Sequence, residues 1–575
     1  MGFAKANQFT STNSFRLWLL FTSLILICFP LLLLIPILPH PQLIDEIRLE
    51  AKHPLIVYPY VNKATKPPKW LEAIGGAHLT SRRPLKVGLV NLEKTKQSRL
   101  PVGGIAEYIT IQFEPVSHNN VTWKKLFPEW INENPSDKCP TIPMPDPRDY
   151  PDLDVVVAKL PCRRHTYDYG TREEWIRDVH RLQVNLATAR LIVENGINKE
   201  GDVYGVFIGK CEPMVEIFKC DDLVWHGGSY WVYKPHVEKL RQTINMPFGT
   251  CELASPYTRL QDTRMLQDNL MTLRGPPITS PFIRPNIKRR DAYVTVLHSS
   301  ETYVCGAIAL ATSILQTNTT KDLIVLVDHT ISNHSIKGLQ VAGWKIKRIK
   351  RIRNPRAKAN AYNEWNYSKL RVWQLTDYHK VMFIDSDFII LQNIDHFFDY
   401  PQLSASPNNN WLFNSGIMIL EPSKCFFKNL MSKRHTIKSY NGGDQGFLNE
   451  VLIWWHRLTR KLNFMKFYRH EGGDRFVPMD RYTIHYLGFK PWLCYRDYDC
   501  NWDKLNQHKF ASDDLHARWW RLYDDMPKKL QKYCGLTKEL NNKLHIRRVM
   551  AQKIKLYDQH WKIEIKDHRQ HILHA

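Results

Sequence analysis

The sequence predicts an α/β protein. Its main unit is a mostly parallel, Rossmann-like sheet, behind an N-terminal membrane anchor and an accessory α/β region. Three observations predict it. From residue 291 onward, short β-branched runs alternate with helical patterns, as in chains of βα units. One run, Lys380–Leu391 (KVMFIDSDFIIL), ends its apolar stretch on two carboxylates, Asp385 and Asp387. Near the N-terminus, Leu17–Pro39 contains no charged residue.

Phe15–Pro39 is long enough to span a bilayer. Pro30 and Pro36 would kink the helix without excluding it. Lys5 and Arg16 flank the run with no acidic residue, which places residues 1–14 in the cytosol and the rest in a lumen, as a single-pass type II protein. The run exceeds a signal-peptide core and no small-x-small site follows it, so it reads as an uncleaved signal-anchor over 15–39. A lumen is oxidising, and ten of the 11 cysteines lie beyond the anchor. Cys211 with Cys220, and Cys494 with Cys500, are close enough in sequence to pair, although spacing alone leaves connectivity open. No CxxC occurs, which argues against a structural zinc site. Glycosylation sequons stand at Asn120, Asn318, Asn333 and Asn366.

Hydrophobic residues make up 43% and aromatic residues 12% of the 575-residue chain, enough for more than one core. The net charge of +24 favours anionic partners. No zinc-finger spacing, RNP aromatic motif or basic-leucine pattern is present, so nucleic acid is not the expected partner. A nucleotide-sugar diphosphate or an acidic glycan fits the charge.

Residues 40–80, rich in Pro and Lys, read as a stem. LKVGLVN (85–91), LDVVVAKL (153–160) and DVYGVFIG (202–209) read as strands. Thr171–Glu194 reads as a helix with Trp175, Val179, Leu182 and Leu186 on one face. Residues 81–285 form the accessory region and show no catalytic signature. The four prolines of 274–288 mark a boundary. The domain at 286–500 follows with strands at 291–299, 322–328, 344–350, 381–384 and 413–420. Helices fall at 302–316, 334–342, 368–375 and 445–455. A basic extension, 501–575, ends the chain. Ligands in such sheets sit at the carboxyl ends of strands, where Asp385 lies.

Side chains alternate along a strand, so Asp385 and Asp387 point the same way if the backbone stays extended. Two converging carboxylates need a neutralising cation, and Mg²⁺ or Mn²⁺ suits them. Such a metal holds a diphosphate and stabilises its charge as it leaves. Four other elements accompany the pair: Lys369; Asn414-Ser415-Gly416 opening a strand; the loop Asn441-Gly442-Gly443-Asp444-Gln445-Gly446 ahead of a helix; and His485-Tyr486-Leu487-Gly488-Phe489-Lys490. Taken singly these read as a surface lysine, a turn, an N-cap and a structural histidine. Together they are far more specific.

In this order the motifs resemble glycogenin and the wider glycosyltransferase family 8, whose catalytic domain has the GT-A fold. The resemblance rests on D-S-D (385–387, with Ser386), F-N-S-G (413–416), G-G-D-Q-G (442–446), H-Y-L-G-F-K-P-W (485–492) and Lys369, and covers about 285–500. The anchor, the long preceding region and the tail DYDCNWD…ASDDLHARWWRLYDD are similar to plant xylan glucuronosyltransferases, also called plant glycogenin-like starch initiation proteins. The resemblance implies a retaining transferase with UDP-glucuronate as donor, xylan as acceptor and a Golgi membrane address. It implies Mn²⁺ held by Asp385, Asp387 and His485, and Lys490 on the diphosphate. Lys369, Asp444 and Gln445 would serve catalysis, with the remaining motif residues binding substrate. Covalent and same-face routes to retention both stay open.

UDP-galacturonate, UDP-galactose and UDP-glucose are rival donors. A non-catalytic scaffold in a complex of polysaccharide-synthesis enzymes is the rival class, and such a complex is a further partner expectation. One departure is Asn441, where glycogenin has an aspartate; a neutral amide does not repel a carboxylated sugar. No counterpart of glycogenin's self-glucosylated tyrosine is located. The basic stretch 350–358 is expected to act as a lid, with Arg356 reading the donor carboxylate. The 289–290 arginine pair is the alternative.

Overall fold

The computed structural model describes residues 69–74, 83–92, 106–117, 120–162, 176–197, 202–257, 290–409, 411–468 and 475–570. The expected cytosolic tail, the anchor at 15–39, most of the stem, the 274–288 boundary and Arg289 lie outside them. Among the described residues no helix is long and apolar enough to cross a membrane.

The first sheet has six strands: β1 (Leu85–Val90), β2 (Ala106–Thr110), β3 (Val155–Lys159), β4 (Tyr204–Ile208), β5 (Leu223–Gly227) and β6 (Tyr230–Tyr233). Their order is β2-β1-β3-β4-β6-β5. The first four are mutually parallel and the β5–β6 hairpin adds antiparallel. The central runs are continuously apolar because both faces are covered. Helix α1 (Val179–Ile197) buries Leu182 and Leu186, as its periodicity predicts. Its expected beginning, including Trp175, lies outside the described residues.

The second sheet has seven strands. In chain order these are β7 (Asp291–Leu297), β8 (Asp322–Val327), β9 (Lys345–Arg348), β10 (Lys380–Ile384), β12 (Ser404–Asn409), β13 (Leu412–Leu420) and β14 (His456–Arg457). They lie in the order β14-β12-β13-β10-β7-β8-β9. Strands β10, β7, β8 and β9 are parallel. β13 is antiparallel to both its neighbours, so the sheet is mixed. The reason is local: a short connection joins β12 to β13, and only a hairpin closes so few residues. A small third sheet joins β11 (Phe388–Ile390), β16 (Thr483–His485) and β15 (Phe464–Met465) in the order β11-β16-β15.

Helices α2 (Val304–Gln316) and α3 (Asn333–Val341) fall close to their expected bounds. The helix expected at 368–375 is a 3₁₀ run, Asn366–Gln374. The helix expected at 445–455 is shorter, α4 (Asp444–Val451). Beyond it, buried Glu216 of the accessory region accepts the amides of Ile453 and Trp454 at 2.7 and 3.1 Å, a partner that the sequence pattern cannot show.

The two larger sheets share one core, in which Val156, Phe207 and Phe218 join Val294, Phe383 and Trp454. The C-terminal extension is also packed: helix α5 (Asp513–Asp525) buries Leu515, Trp519 and Trp520 against α2 and β16. All ten cysteines beyond the expected anchor are paired, as Cys139–Cys251, Cys162–Cys211, Cys220–Cys425, Cys305–Cys534 and Cys494–Cys500. Cys494–Cys500 is as expected. Cys211–Cys220 is corrected, because adjacent parallel strands β3 and β4 deliver Cys162 to Cys211 with Cα atoms 5.7 Å apart. Cys220 instead reaches across to Cys425.

Candidate active site

Strand β10 is buried along its whole length and ends at Asp385, whose amide donates to Gly416 O at 2.8 Å. The extended backbone does not continue; Ser386 and Asp387 form a turn before β11. The two carboxylates therefore meet different partners. Lys369, buried on the 3₁₀ run, lies 3.2 Å from Asp385 Oδ1 and 2.7 Å from Asp444 Oδ2. It also donates to Ser415 O at 3.2 Å and to Ser415 Oγ at 3.3 Å. Burial opposes its charge, yet Asp385 and Asp444 outweigh burial and raise its pKa. Lys369 is thus an ion-paired hub rather than a surface lysine.

Asp387 accepts from Lys490 Nζ at 2.6 Å through Oδ2. Burial opposes its charged form, but Lys490 and then His485 outweigh this and lower its pKa. Its Oδ1 is buried without a hydrogen-bond partner among the described residues and lies 3.6 Å from His485 Nε2. His485 stacks on Phe388 at 4.1 Å, and its Nδ1 is 3.2 Å from Asn463 Oδ1. Burial pushes the imidazole down to about 4, so the ring is neutral near pH 7. In the tautomer protonated at Nδ1, that nitrogen donates to Asn463 Oδ1 and the Nε2 lone pair faces Asp387. Two unprotonated donors, one hard oxygen and one imidazole nitrogen, facing each other fit a divalent cation. No group of three or more His, Cys, Asp or Glu among the described residues is assembled as a ready metal centre, because Asp385 is drawn to Lys369.

The glycine loop packs beside this cluster. Asn441 Oδ1 accepts from Gly443 N, Gly446 N and Ser439 Oγ at 3.0–3.1 Å, so that oxygen is committed inside the loop. Gly442 has φ +70° and its carbonyl takes bonds from Asn354 and Asn363. Asp444 opens α4; Oδ1 accepts from Asn366 at 3.1 Å and Oδ2 from Ser415 Oγ at 3.1 Å. Asn366 is therefore a partner of Asp444 rather than a free sequon. Gln445 Oε1 accepts from Ser415 N at 3.1 Å, and its Nε2 donates to Tyr440 OH at 3.0 Å. Gly416 is needed for close approach: a Cβ there would meet Asn414 Oδ1 at 2.8 Å and His485 Cε1 at 3.0 Å. Asn414 also donates to Asn408 at 3.1 Å.

A cleft of about 670 Å³ opens above Asp385, Ser386 and Asp387. Its other walls are the 296–303 segment after β7, Arg351 and residues 360–365. The structure thus brings together Lys369, Asp385, Asp387, Asn414, Ser415, Gly416, Asp444, Gln445, His485 and Lys490. Tyr486 points elsewhere; its hydroxyl donates to Leu515 O at 3.0 Å in the core. Leu487, Gly488 and Phe489 form the turn between His485 and Lys490, with Gly488 at φ +77°. Arg356 does not line the cleft: its guanidinium donates to His435 O at 3.0 Å. Arg351, five residues earlier, does. It pairs with Asp328 at 3.2 Å and lies 4.2 Å over Trp365. Reading the basic run as one lid missed which arginine the turn at 353–357 sends inward.

Two family models match the chain: a GUX1-5 N-terminal domain over residues 61–251 and glycosyl transferase family 8 over residues 294–405. UDP-glucuronate:xylan alpha-glucuronosyltransferase 2 of Arabidopsis thaliana is 47% identical over 497 residues, 84% of this chain and 80% of that one. A second Arabidopsis thaliana protein, provisionally named for the same activity, is 47% identical over 97% of this chain and 98% of its own. Human glycogenin-1 is 28% identical over 43% of this chain and 76% of its own length.

Proposed function

The chain belongs to glycosyltransferase family 8, in the group of UDP-glucuronate:xylan alpha-glucuronosyltransferases, and from that premise we propose that it transfers glucuronate from UDP-glucuronate to the xylan backbone with retention of configuration. The observation that carries the reading is the convergence on Asp387 of the His485 imidazole and the Lys490 ammonium. Family members are generally dependent on a divalent metal. Here Asp387 and His485 would hold Mn²⁺, with Asp385 completing the set. When bound, the metal supplies Lewis-acid stabilisation to the departing diphosphate.

The chain's own groups do the rest. Lys490 places a buried cation where charge develops on the leaving group. Lys369 holds Asp385 and Asp444 in fixed relation. Both Asp444 oxygens are engaged, by Asn366, Ser415 and Lys369, which supports a positioning role beside the sugar over attack as a free nucleophile. Gln445 is held from both ends and fixes the loop edge. A cleft that orients donor and acceptor supplies much of the rate through proximity.

The five disulfides support an oxidising compartment, and together with the anchor expected at 15–39 they favour residence in the Golgi membrane, catalytic side luminal. Partnership with other polysaccharide-synthesis enzymes belongs to the same proposal. The test is a donor panel: full-length protein with xylo-oligosaccharide and UDP-glucuronate, UDP-galacturonate, UDP-galactose or UDP-glucose. Transfer from UDP-glucuronate alone is expected. Preferred use of another donor overturns the assignment, and no transfer from any donor favours the scaffold.

A further inference from the structure

We infer that Asn501 and Asp499 are positioning residues: a fully buried clamp that sets the Gly488 turn so that His485 and Lys490 both reach Asp387. The inference rests on the reading that these groups hold the donor's diphosphate. Neither clamp residue lines the cleft; both lie in the DYDCNWD stretch (497–503), which the sequence pattern does not connect with the site.

The geometry runs as a closed circuit. After His485 the chain turns sharply: Tyr486 N donates to Asp387 O at 2.9 Å and Leu487 N to His485 O at 3.1 Å. Gly488 then takes φ +77°, and a Cβ there would lie 2.4 Å from Asn501 Oδ1. Asn501 grips the next residue from both sides. Its Oδ1 accepts from Phe489 N at 2.8 Å and its Nδ2 donates to Phe489 O at 3.0 Å. Lys490 follows at once, donating to Asp387 Oδ2 and to Tyr486 O, each at 2.6 Å. A rotation of the Phe489 peptide would therefore swing the ammonium off Asp387.

Asp499 fixes the clamp in turn. Its Oδ1 accepts from Asn501 N at 3.0 Å and from Asn501 Nδ2 at 2.7 Å, and its Oδ2 accepts from Ser512 N at 2.9 Å. Its charge is met by Lys466, and both side chains are 0% exposed. Lys466 belongs to the same circuit, since its amide donates to His485 O at 2.9 Å. The Cys494–Cys500 disulfide pins the segment carrying both residues to the chain just beyond Lys490. Such a network costs too much to leave partly satisfied, so it holds one geometry. Outer groups of this kind orient the groups that touch the metal or ligand.

The test titrates UDP, and separately uridine, into the full-length protein with Mn²⁺ present. Asn501→Ala is expected to weaken UDP by about 10- to 100-fold, the size typical of lost outer-shell support. Uridine, which lacks the diphosphate, should bind as before, and the donor KM should rise. Unchanged UDP affinity in a folded variant overturns the inference. Equal weakening of UDP and uridine overturns it too, because that is general damage. If Asn501→Ala does not fold, Asn501→Ser keeps an acceptor for Phe489 N and carries the same expectation; failure of both to fold counts against the inference, since the clamp would then serve the fold rather than the site. Lys490→Ala separates the two levels. If it leaves UDP binding intact, the diphosphate reading itself fails; if it weakens UDP while Asn501→Ala does not, only the clamp fails.

Discussion

In the six-stranded sheet the carboxyl ends of parallel β3 and β4 are bridged by Cys162–Cys211, and the end of β1 is tied down through Asn91 Nδ2 to Lys159 O at 2.8 Å. In the seven-stranded sheet the carboxyl end of parallel β10 carries Asp385 and Asp387, and the space above it is a cleft of about 670 Å³. Both sheets have parallel central strands, continuous apolar runs and a share in one core. A strand end becomes a site when it presents ionisable groups and the chain leaves it open; the same end becomes a joint when it is cross-linked. The first sheet spends its edge on rigidity and on contact with its neighbour through Glu216, Lys219 and Cys220.

The largest effect is expected at the open edge. Asp387→Ala should lower transfer by at least about 10²–10³-fold, read as kcat/KM with UDP-glucuronate. Retained turnover would put the chemistry elsewhere. Next is the joint between the sheets, where Lys219 and Glu421 form a largely buried pair at 2.5 Å. Burial opposes the Glu421 charge, but Lys219 and Lys380 outweigh it and hold the pKa below its ordinary value of 4.5. A depressed carboxyl contributes stability above its unfolded pKa and loses it as pH falls below. Glu421→Gln should cost about 3–5 kcal/mol at neutral pH by stranding Lys219. In unfolding experiments the difference between wild type and variant should begin to narrow as pH drops below about 4 and close only as pH falls through the much lower folded-state pKa of Glu421.

Third, replacing Cys162 and Cys211 by Ala should cost about 2–4 kcal/mol in unfolding free energy, for a closed loop of 49 residues, with donor KM unchanged. A raised donor KM would make the first sheet part of the site. Smallest, Asn91→Ala should cost about 1 kcal/mol for one lost hydrogen bond and leave transfer unchanged.

The same contrast explains what was legible in the sequence. Strands such as 153–160 and 381–384 announce themselves because burial on both faces leaves a continuous apolar run. The Asp385, Asn414, Asp444 and His485 motifs stand out because each breaks such a run with polar residues at a strand end or helix start. What stayed hidden depends on distant partners. Lys369 reads as a surface lysine until Asp385 and Asp444 flank it. The helix after Asp444 ends early beside a glutamate more than two hundred residues upstream. Cys211 has a near neighbour in sequence, Cys220, but a nearer one in space, Cys162. Arg351 and Arg356 carry the same charge, and only the fold of the intervening turn decides which faces the cleft. Asn501 lies within the DYDCNWD stretch, but nothing in that run shows that its side chain grips the backbone of Phe489.

Metal-assisted glucuronate transfer at the open edge of the seven-stranded sheet can be tested in a single assay. The most direct measurement follows transfer from UDP-glucuronate to a xylo-oligosaccharide by full-length protein, first stripped of metal by chelator and then titrated with Mn²⁺. No product is expected in chelator, with recovery on adding Mn²⁺ and no such recovery in Asp387→Ala. Full turnover in chelator, or metal-restored turnover by Asp387→Ala, would contradict it.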